Sequence, residues 1–428
     1  MQIETLYEIF KNSRKVQTDT RKLSVGEIFF ALKGPNFNGN HFALKALEQG
    51  AAAVVVDEFQ GIADDRIFFV DDALKALQDL ARHHRSQLNI PFIAITGSNG
   101  KTTTKELVHA VLSAHFITAT TIGNLNNHIG VPLTLLSIPD DAEMAVIEMG
   151  ANHQKEIAGY CQIALPTHGL ITNCGKAHLE GFGGVEGIRK GKGELYDFLR
   201  ENNGTIFVNS DMTDLMGMSL GVPNRIFYGQ SKGSFNAEMT HASPLLTLEI
   251  SRLDWGLHHL HTNLIGSYNL ANIEAAICIG DHFGIPFPKI AQAIATYVPN
   301  NARSQLMTKG TNSIFLDAYN ANPSSMKVAI ENFASQAHSN KWLLLGAMME
   351  LGEESIQEHH ALVELLQSLN LDQVILVGGD FGNIVQPYPY FNNTTVASEW
   401  LAANKPEEAL ILIKGSRSTG MEKLLEVF

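Results

Sequence analysis

Short apolar runs alternate with longer amphipathic stretches along this chain. The runs "AAAVVV" (51–56), "AVIEM" (145–149), "GLIT" (169–172), "TIFVN" (205–209), "WLLLG" (342–346), "QVILVG" (373–378) and "ALILI" (409–413) are bounded by turn residues. Runs of this length, rich in β-branched residues, predict strands buried on both faces. The stretches between them repeat apolar residues at helical spacing, so the alternation predicts parallel sheets joined by crossover helices, an α/β fold. From Phe235 to His261 polar and apolar residues alternate singly, which predicts antiparallel strands and a mixed sheet in the middle of the chain.

Two interruptions divide the pattern. One is "RSQLNIP" (85–91), where a polar helix end meets proline, and the other is "YVPNNARSQ" (297–305). With 428 residues the chain exceeds one ordinary core. The expected units are 1–88, 89–298 and 299–428.

The most specific stretch is "PFIAITGSNGKTTTKEL", 91–107. Phe92 to Ile95 predicts a buried strand, and Thr102 onward carries a helical pattern, so Gly97, Ser98, Asn99 and Gly100 join a strand to a helix N-terminus. Backbone N–H groups there lack partners within the helix and present the positive end of its dipole, which suits an anion. Glycines let the chain curl around a phosphate, Lys101 adds a point charge, and Thr102 offers a hydroxyl to magnesium, with Thr103 beside it. The usual phosphate-loop pattern has another glycine five residues before Gly100, where this chain has Ile95.

Composition narrows the class. Hydrophobic residues make up 45% and charged residues 18%, as in a globular protein with ample core. A formal net charge of −13 argues against nucleic-acid binding through bulk electrostatics, so a polyanionic ligand must be held by local groups such as Lys101. Three scattered cysteines, Cys161, Cys174 and Cys278, fit a reducing cytoplasm better than a disulfide framework. No window approaches the roughly 20 apolar residues of a membrane span.

Other clusters gather where strands are expected to end. "TIGNLNNHIG" places Gly123, Asn124, Asn126 and Asn127 in one turn, whose amides could meet phosphate or amine. "MAVIEMGAN" ends a strand at Glu148, a position suited to a magnesium ligand beside a phosphate loop. "NCGKAHLEGFGGVEGIRKGKGELY" offers His178, Glu180, Lys190 and Lys192, and these residue types alone do not decide between a site and a solvated face. His83, His84, His258, His259 and His261 lack acidic partners in the sequence and are assigned to surface or core. Asn269 and Asn272 lie three apart on one helical face, fitting either the edge of a base or a helix cap.

Taken together, these segments resemble the Mur ligase family over nearly the whole chain, which implies a UDP-sugar domain at 1–88, a central P-loop ATP-binding α/β domain with a mostly parallel sheet at 89–298 and a Rossmann-like α/β domain at 299–428. The segment "TDTRKLSVGEIFFALKG" looks like its UDP-binding element, with Thr20, Arg21, Lys33, Gly34 and, in the following turn, Asn38 on the substrate side; "TGSNGKTTTKE" resembles its ATP loop. The resemblance implies an ATP-dependent ligase that joins D-Ala-D-Ala to UDP-MurNAc-tripeptide through an acyl phosphate, acting as a cytoplasmic monomer. It implies Lys101 on the ATP phosphates, Thr102 and Glu148 on one magnesium ion, and His178 on a second. It also implies that Lys192 is carbamylated, turning a repelled ammonium into an anion with oxygen donors. Asn269, Asn272, Arg303 and Asp317 would face the nucleotide. Asn124, Asn126, Asn127, Tyr319, Asn320, Lys414, Ser416 and Arg417 would face acceptor and phosphate. A ligase adding the third amino acid, a folyl-polyglutamate synthetase and a plain NTPase are the rivals. The chain lacks the Asp-Asn-Pro-Arg element of the first, its UDP-binding segment would have no role in the second, and the third would be expected to lose Lys101, Glu148, His178 or Lys192.

Overall fold

The computed structural model describes residues 3–300, 302–371 and 373–428. Three α/β layers follow one another along the chain. The first has a four-stranded parallel sheet in the order Val16–Gln17, Ile28–Phe30, Ala53–Val56, Ile67–Phe69, plus a small hairpin of Lys33–Gly34 and Phe37–Asn38. Helix Ala73–Gln87 leads out of it, its N-terminus capped by the Asp72 carboxylate on Lys75 N–H at 2.9 Å. From its last turn Arg85 donates to the carbonyls of Ala164 and Leu165, both at 2.8 Å, and its guanidinium lies 3.7 Å from the centre of the Phe92 ring. This buried arginine fastens the first layer to the second by satisfying the carboxyl end of helix Glu156–Ala164.

The second layer is a six-stranded sheet in the order Asn224–Tyr228, Thr205–Asn209, His168–Ile171, Phe92–Thr96, Met144–Glu148, Thr118–Thr120. All its pairs are parallel. Residues 235–261 do form antiparallel strands, Asn236–His241, Thr247–Arg252 and Gly256–His261. They make a sheet of their own, so the expected mixed central sheet is corrected. Ala237, Leu248, Ile250 and Leu260 from these strands pack with Phe287 and Ile290 of a neighbouring helix instead of extending the parallel layer.

The third layer runs Gln305–Lys309, Asn312–Asp317, Leu410–Lys414, Lys341–Gly346, Val374–Val377, Tyr390–Phe391, antiparallel in its first pair and parallel thereafter. Strands Phe92–Thr96, Met144–Glu148 and Leu410–Lys414 are buried at every residue. Each buried Leu or Ile side chain contributes about 1.5–3 kcal/mol of hydrophobic stabilisation, which holds the strand ends still for chemistry. No helix among the described residues is long and apolar enough to cross a membrane.

Candidate active site

A cavity of about 940 Å³ opens where the carboxyl ends of the central strands meet the third layer. Its floor is the loop between strand Phe92–Thr96 and helix Lys101–Ser113. Gly97 has φ +145° and lies so close to Thr172 that an added Cβ would stand 1.9 Å from its Oγ1. Gly100 has φ +78°, and a Cβ there would meet Asn272 Oδ1 at 2.8 Å. Neighbouring strand ends brace the loop. Ser98 N–H donates to the Asn173 carbonyl at 2.9 Å, Asn99 N–H to Asn173 Oδ1 at 3.1 Å, and Thr172 Oγ1 to the Asn99 carbonyl at 2.6 Å.

Lys101 Nζ folds over this loop and donates to the carbonyls of Gly97 and Ser98 at 2.7 and 3.1 Å. Burial draws its ammonium down to about 8; the Glu148 charge opposes this and the Arg303 charge adds to it. Glu148, 1% exposed, accepts from Thr102 Oγ1 at 2.8 Å and from Asn126 Nδ2 at 2.7 Å. A buried carboxylate beside a hydroxyl and a phosphate loop is a hard-oxygen set that suits magnesium, which takes one or two carboxylates and fills its shell with phosphate and water. Among the described residues no three His, Cys, Asp or Glu side chains converge as a protein-only metal cage.

His178 lines the cavity in the left-handed backbone region at φ +55°. Its Nδ1 lies against Glu350 of the third layer, itself at φ +62°, and this pairing holds the Glu350 carboxyl below its usual range. Lys192 is fully buried and stands behind the cavity wall, whereas Lys190 is exposed. Lys192 Nζ donates to the Ala151 carbonyl at 3.2 Å and lies 4.9 Å from the centre of the Phe182 ring. Burial, aided by the Lys101 charge, lowers its ammonium to about 7.

The two asparagines open helix Leu270–His282. Asn269 sits at the cap position without making a cap bond; its Nδ2 donates to the Ile265 carbonyl at 2.8 Å, so the capping alternative does not hold. Asn272 Nδ2 donates to Asn269 Oδ1 at 2.8 Å, and its Oδ1 accepts from Thr104 Oγ1 at 2.9 Å, tying this helix to the loop helix.

From the third layer come Arg303, Asp317, Tyr319, Asn320 and Lys414, all lining the cavity. The Arg303 guanidinium stacks 3.7 Å from the centre of the Tyr319 ring, with that of the exposed Arg417 at 5.5 Å. Asp317 pairs with Lys414, which also donates to the Asn320 carbonyl at 3.3 Å. Buried Ser416 lies behind this group and accepts from Met349 N–H at 3.1 Å. Within the asparagine turn, Asn126 and Asn127 line the cavity; Asn127 Oδ1 also accepts from Gly130 N–H at 2.8 Å. Asn124 is exposed and does not line it.

The first-layer candidates lie apart from the cavity. Thr20 is buried, Arg21 pairs with Asp19 at 2.8 Å, Gly34 is exposed, and Lys33 lies 3.2 Å from Asp57 and 3.4 Å from Glu58. Asn38 Oδ1 accepts from Asn40 N–H at 3.0 Å.

Sequence reasoning missed Asn173, Asp211, Glu274, Asn322 and Glu350. Asn322 Nδ2 reaches Asn99 Oδ1 of the phosphate loop at 2.8 Å while its own Oδ1 caps helix Pro323–Ala334. Asn173 and Asp211 follow strand ends, and the strand-end rule applied everywhere finds both. Asn322 and Glu350 fall in "FLDAYNANPSSM" and "LLLGAMMELGEES", stretches that follow apolar strands and so carry the same strand-end signal, though neither residue stands out within them.

Three family models cover the chain: Mur ligase family, catalytic domain, on residues 13–85; Mur ligase middle domain on 95–280; and Mur ligase, glutamate ligase domain, on 302–417. The UDP-N-acetylmuramoyl-tripeptide–D-alanyl-D-alanine ligases of Escherichia coli K12 and Bacillus subtilis 168 are 35% and 32% identical to it, each alignment spanning 96% of this chain and 92% of the relative. Among solved structures, MurF from Acinetobacter baumannii superposes with a TM-score of 0.87 at 30% identity, covering 96% of this chain and 92% of that one. MurF from Thermotoga maritima in complex with ADP gives 0.87 at 28% identity, covering 97% of both. With a phosphate loop, a buried carboxylate and the Arg303 and Lys414 side chains of the third layer meeting at one cavity, and with these likenesses along its length, the chain belongs to the Mur ligase family.

Proposed function

We propose that the chain is an ATP-dependent amide-bond ligase that joins D-Ala-D-Ala to UDP-MurNAc-tripeptide. The observation that carries this is the meeting of the phosphate loop, Glu148 and His178 with Arg303 and Lys414 across one cavity. The relatives named for this reaction support the choice of substrates.

In the reaction, a carboxylate oxygen of the tripeptide attacks the γ-phosphorus, the bond to the ADP oxygen breaks, and an acyl phosphate results. The amine of the dipeptide then attacks the acyl carbon, phosphate leaves, and the amine loses a proton. No protein nucleophile takes part. Lys101 exchanges its two loop carbonyls for phosphate oxygens and offsets their charge. Arg303 and Lys414 approach from the third layer, where closure also excludes the water that would hydrolyse the acyl phosphate. Thr102 and Glu148 would hold one magnesium ion, and His178 with a Lys192 carbamate a second; such ions lower the repulsion between an anionic nucleophile and the triphosphate. A neutral, buried Lys192 amine is the form that adds to carbon dioxide, forming the N–C bond and releasing a proton. The units 1–88, 89–298 and 299–428 would bind the UDP-sugar, ATP and the acceptor, with Thr20, Arg21, Lys33, Gly34 and Asn38 on the first of these. The reading places the chain in the cytoplasm, where its three buried thiols stay reduced.

Purified protein with ATP, magnesium and UDP-MurNAc-tripeptide should release phosphate only when D-Ala-D-Ala is present, with a product heavier by the dipeptide less water. Release without a new amide, or release triggered by a single amino acid, would overturn the assignment.

A further inference from the structure

A second cavity, of about 380 Å³, adjoins the first. It lies between helix Ala73–Gln87 of the first layer and helix Glu156–Ala164 of the second, and His128, Glu156 and Tyr160 line both cavities. Two ties set its width. Arg85 joins the carboxyl ends of the two helices, and Gln78 Nε2 donates to the His128 carbonyl at 3.1 Å on the side of the main cavity.

The charges lining this chamber are not balanced in place. Lys75 pairs with Asp79. Glu156 Oε2 accepts from the N–H groups of Asn152 and His153 at 2.7 and 3.1 Å, and its Oε1 lies 3.5 Å from His153 Nδ1. Both acidic groups on the wall therefore have partners already. Arg82 and Lys155 are exposed and have no side-chain partner among the described residues. Both are long side chains rooted on the wall and free to turn toward what enters. The chain as a whole carries a formal charge of −13, so these two cations do not reflect a general excess of positive charge.

Lys155 also holds an unusual backbone. Its φ of +73° and ψ of −6° lie in the left-handed region, which is costly for a residue with a side chain. Glu194 of helix Val185–Glu201 pins it there, accepting from Lys155 N–H at 2.5 Å and from Ala158 N–H at 2.9 Å. Glycine would take this conformation without strain. A lysine held against strain on the wall of a cavity points to a use for its charge.

On the reading above, the donor comes from the first layer and presents its terminal carboxylate to the γ-phosphate. The third residue of the tripeptide carries that carboxylate, so its side chain lies nearest the reacting atoms, and the adjoining chamber is space into which it can extend. We propose that the chamber receives the end of this side chain, and that Arg82 and Lys155 select an end bearing a carboxylate over a bare ammonium. A donor ending in lysine would bring an ammonium against two cations. One ending in 2,6-diaminopimelate brings the same ammonium with a carboxylate on the same carbon, which the two cations can pair. The proposal deepens the ligase reading and rests on it.

The test compares UDP-MurNAc-tripeptides ending in diaminopimelate and in lysine, by calorimetry with magnesium and a non-hydrolysable ATP analogue, and by kcat/KM for ligation. The wild type should favour the diaminopimelate donor by about 10-fold, as two solvated ion pairs allow. Lys155→Gly, which suits the left-handed backbone, and Arg82→Gln should each weaken the diaminopimelate donor several-fold and strengthen the lysine donor, while Arg82→Lys should keep the wild-type order. Damage to the fold alone would weaken both donors together, so opposite shifts are the signature. Equal affinity for the two donors in the wild type, a preference for the lysine donor, or variants that weaken both donors alike would overturn the proposal and leave the ligase reading standing. Failure of either donor to bind would overturn both. The expected preference in binding without amide formation would support the chamber and count against the acceptor proposed above.

Discussion

At Lys192 a primary amine is held away from water with one carbonyl at 3.2 Å and an aromatic face for company. The folded chain gives up this proton near pH 7, whereas the unfolded chain keeps it to about 10.5. Between those values the unfolded state binds more protons, so stability should rise with pH across that window. Lys192→Met should remove this rise: melting curves from pH 6 to pH 9 should flatten, and the variant should match or exceed the wild type below pH 7. Ligation should fall about 100-fold in the same variant, because a ligand-shell anion would be lost. In the wild type, activity should increase with added bicarbonate; a rate indifferent to bicarbonate would count against carbamylation. Glu148→Gln, measured by a magnesium titration of ATP-dependent phosphate release, should also cost about 100-fold and shift the curve to higher magnesium.

Among the elements, the loop after strand Phe92–Thr96 tolerates least. Gly97→Ala would drive a methyl into the Thr172 side chain and, at 3.0 Å, its backbone nitrogen, in a backbone conformation L residues seldom adopt. The expected cost is about 2 kcal/mol or more by denaturant unfolding, with nucleotide affinity lost; Thr172→Ala should not restore it, since the backbone contact remains. This loop was readable in the sequence because its glycines, lysine and threonine serve one anion within a few residues. The long buried runs were equally readable, with "TIFVN" matching strand Thr205–Asn209 end to end. Strands such as Ile28–Phe30, Thr118–Thr120 and Tyr390–Phe391 were missed because two or three residues cannot display a period. The alternation from Phe235 to His261 revealed strand type but not which sheet the strands join, since that depends on distant packing partners.

For the molecule as a whole, the contacts between second and third layers decide the shape of the cavity, and the sequence gives no sign of them. Asn99 meets Asn322, Lys176 N–H donates to Ser324 Oγ at 2.9 Å, and Lys176 Nζ lies 2.6 Å from Glu358. Pairs so far apart in the chain carry no local pattern, and the same holds for His178 with Glu350. Reversing one charge, as in Lys176→Glu or Glu358→Lys, should lower kcat/KM for ligation several-fold, and the double reversal should recover most of it. The pair is partly solvated, so its coupling should be about 1 kcal/mol and shrink with salt. Recovery absent from the double variant would mean that this pair does not set the approach of the layers. The cavity thus lies between the carboxyl edges of two separate sheets, the second layer presenting Lys101, Thr102 and Glu148 and the third Asp317 and Lys414. On the function proposed above, energy supply and choice of acceptor would reside on different scaffolds, and a lineage could exchange the amine it accepts by rewriting the strand ends of one while leaving the other intact.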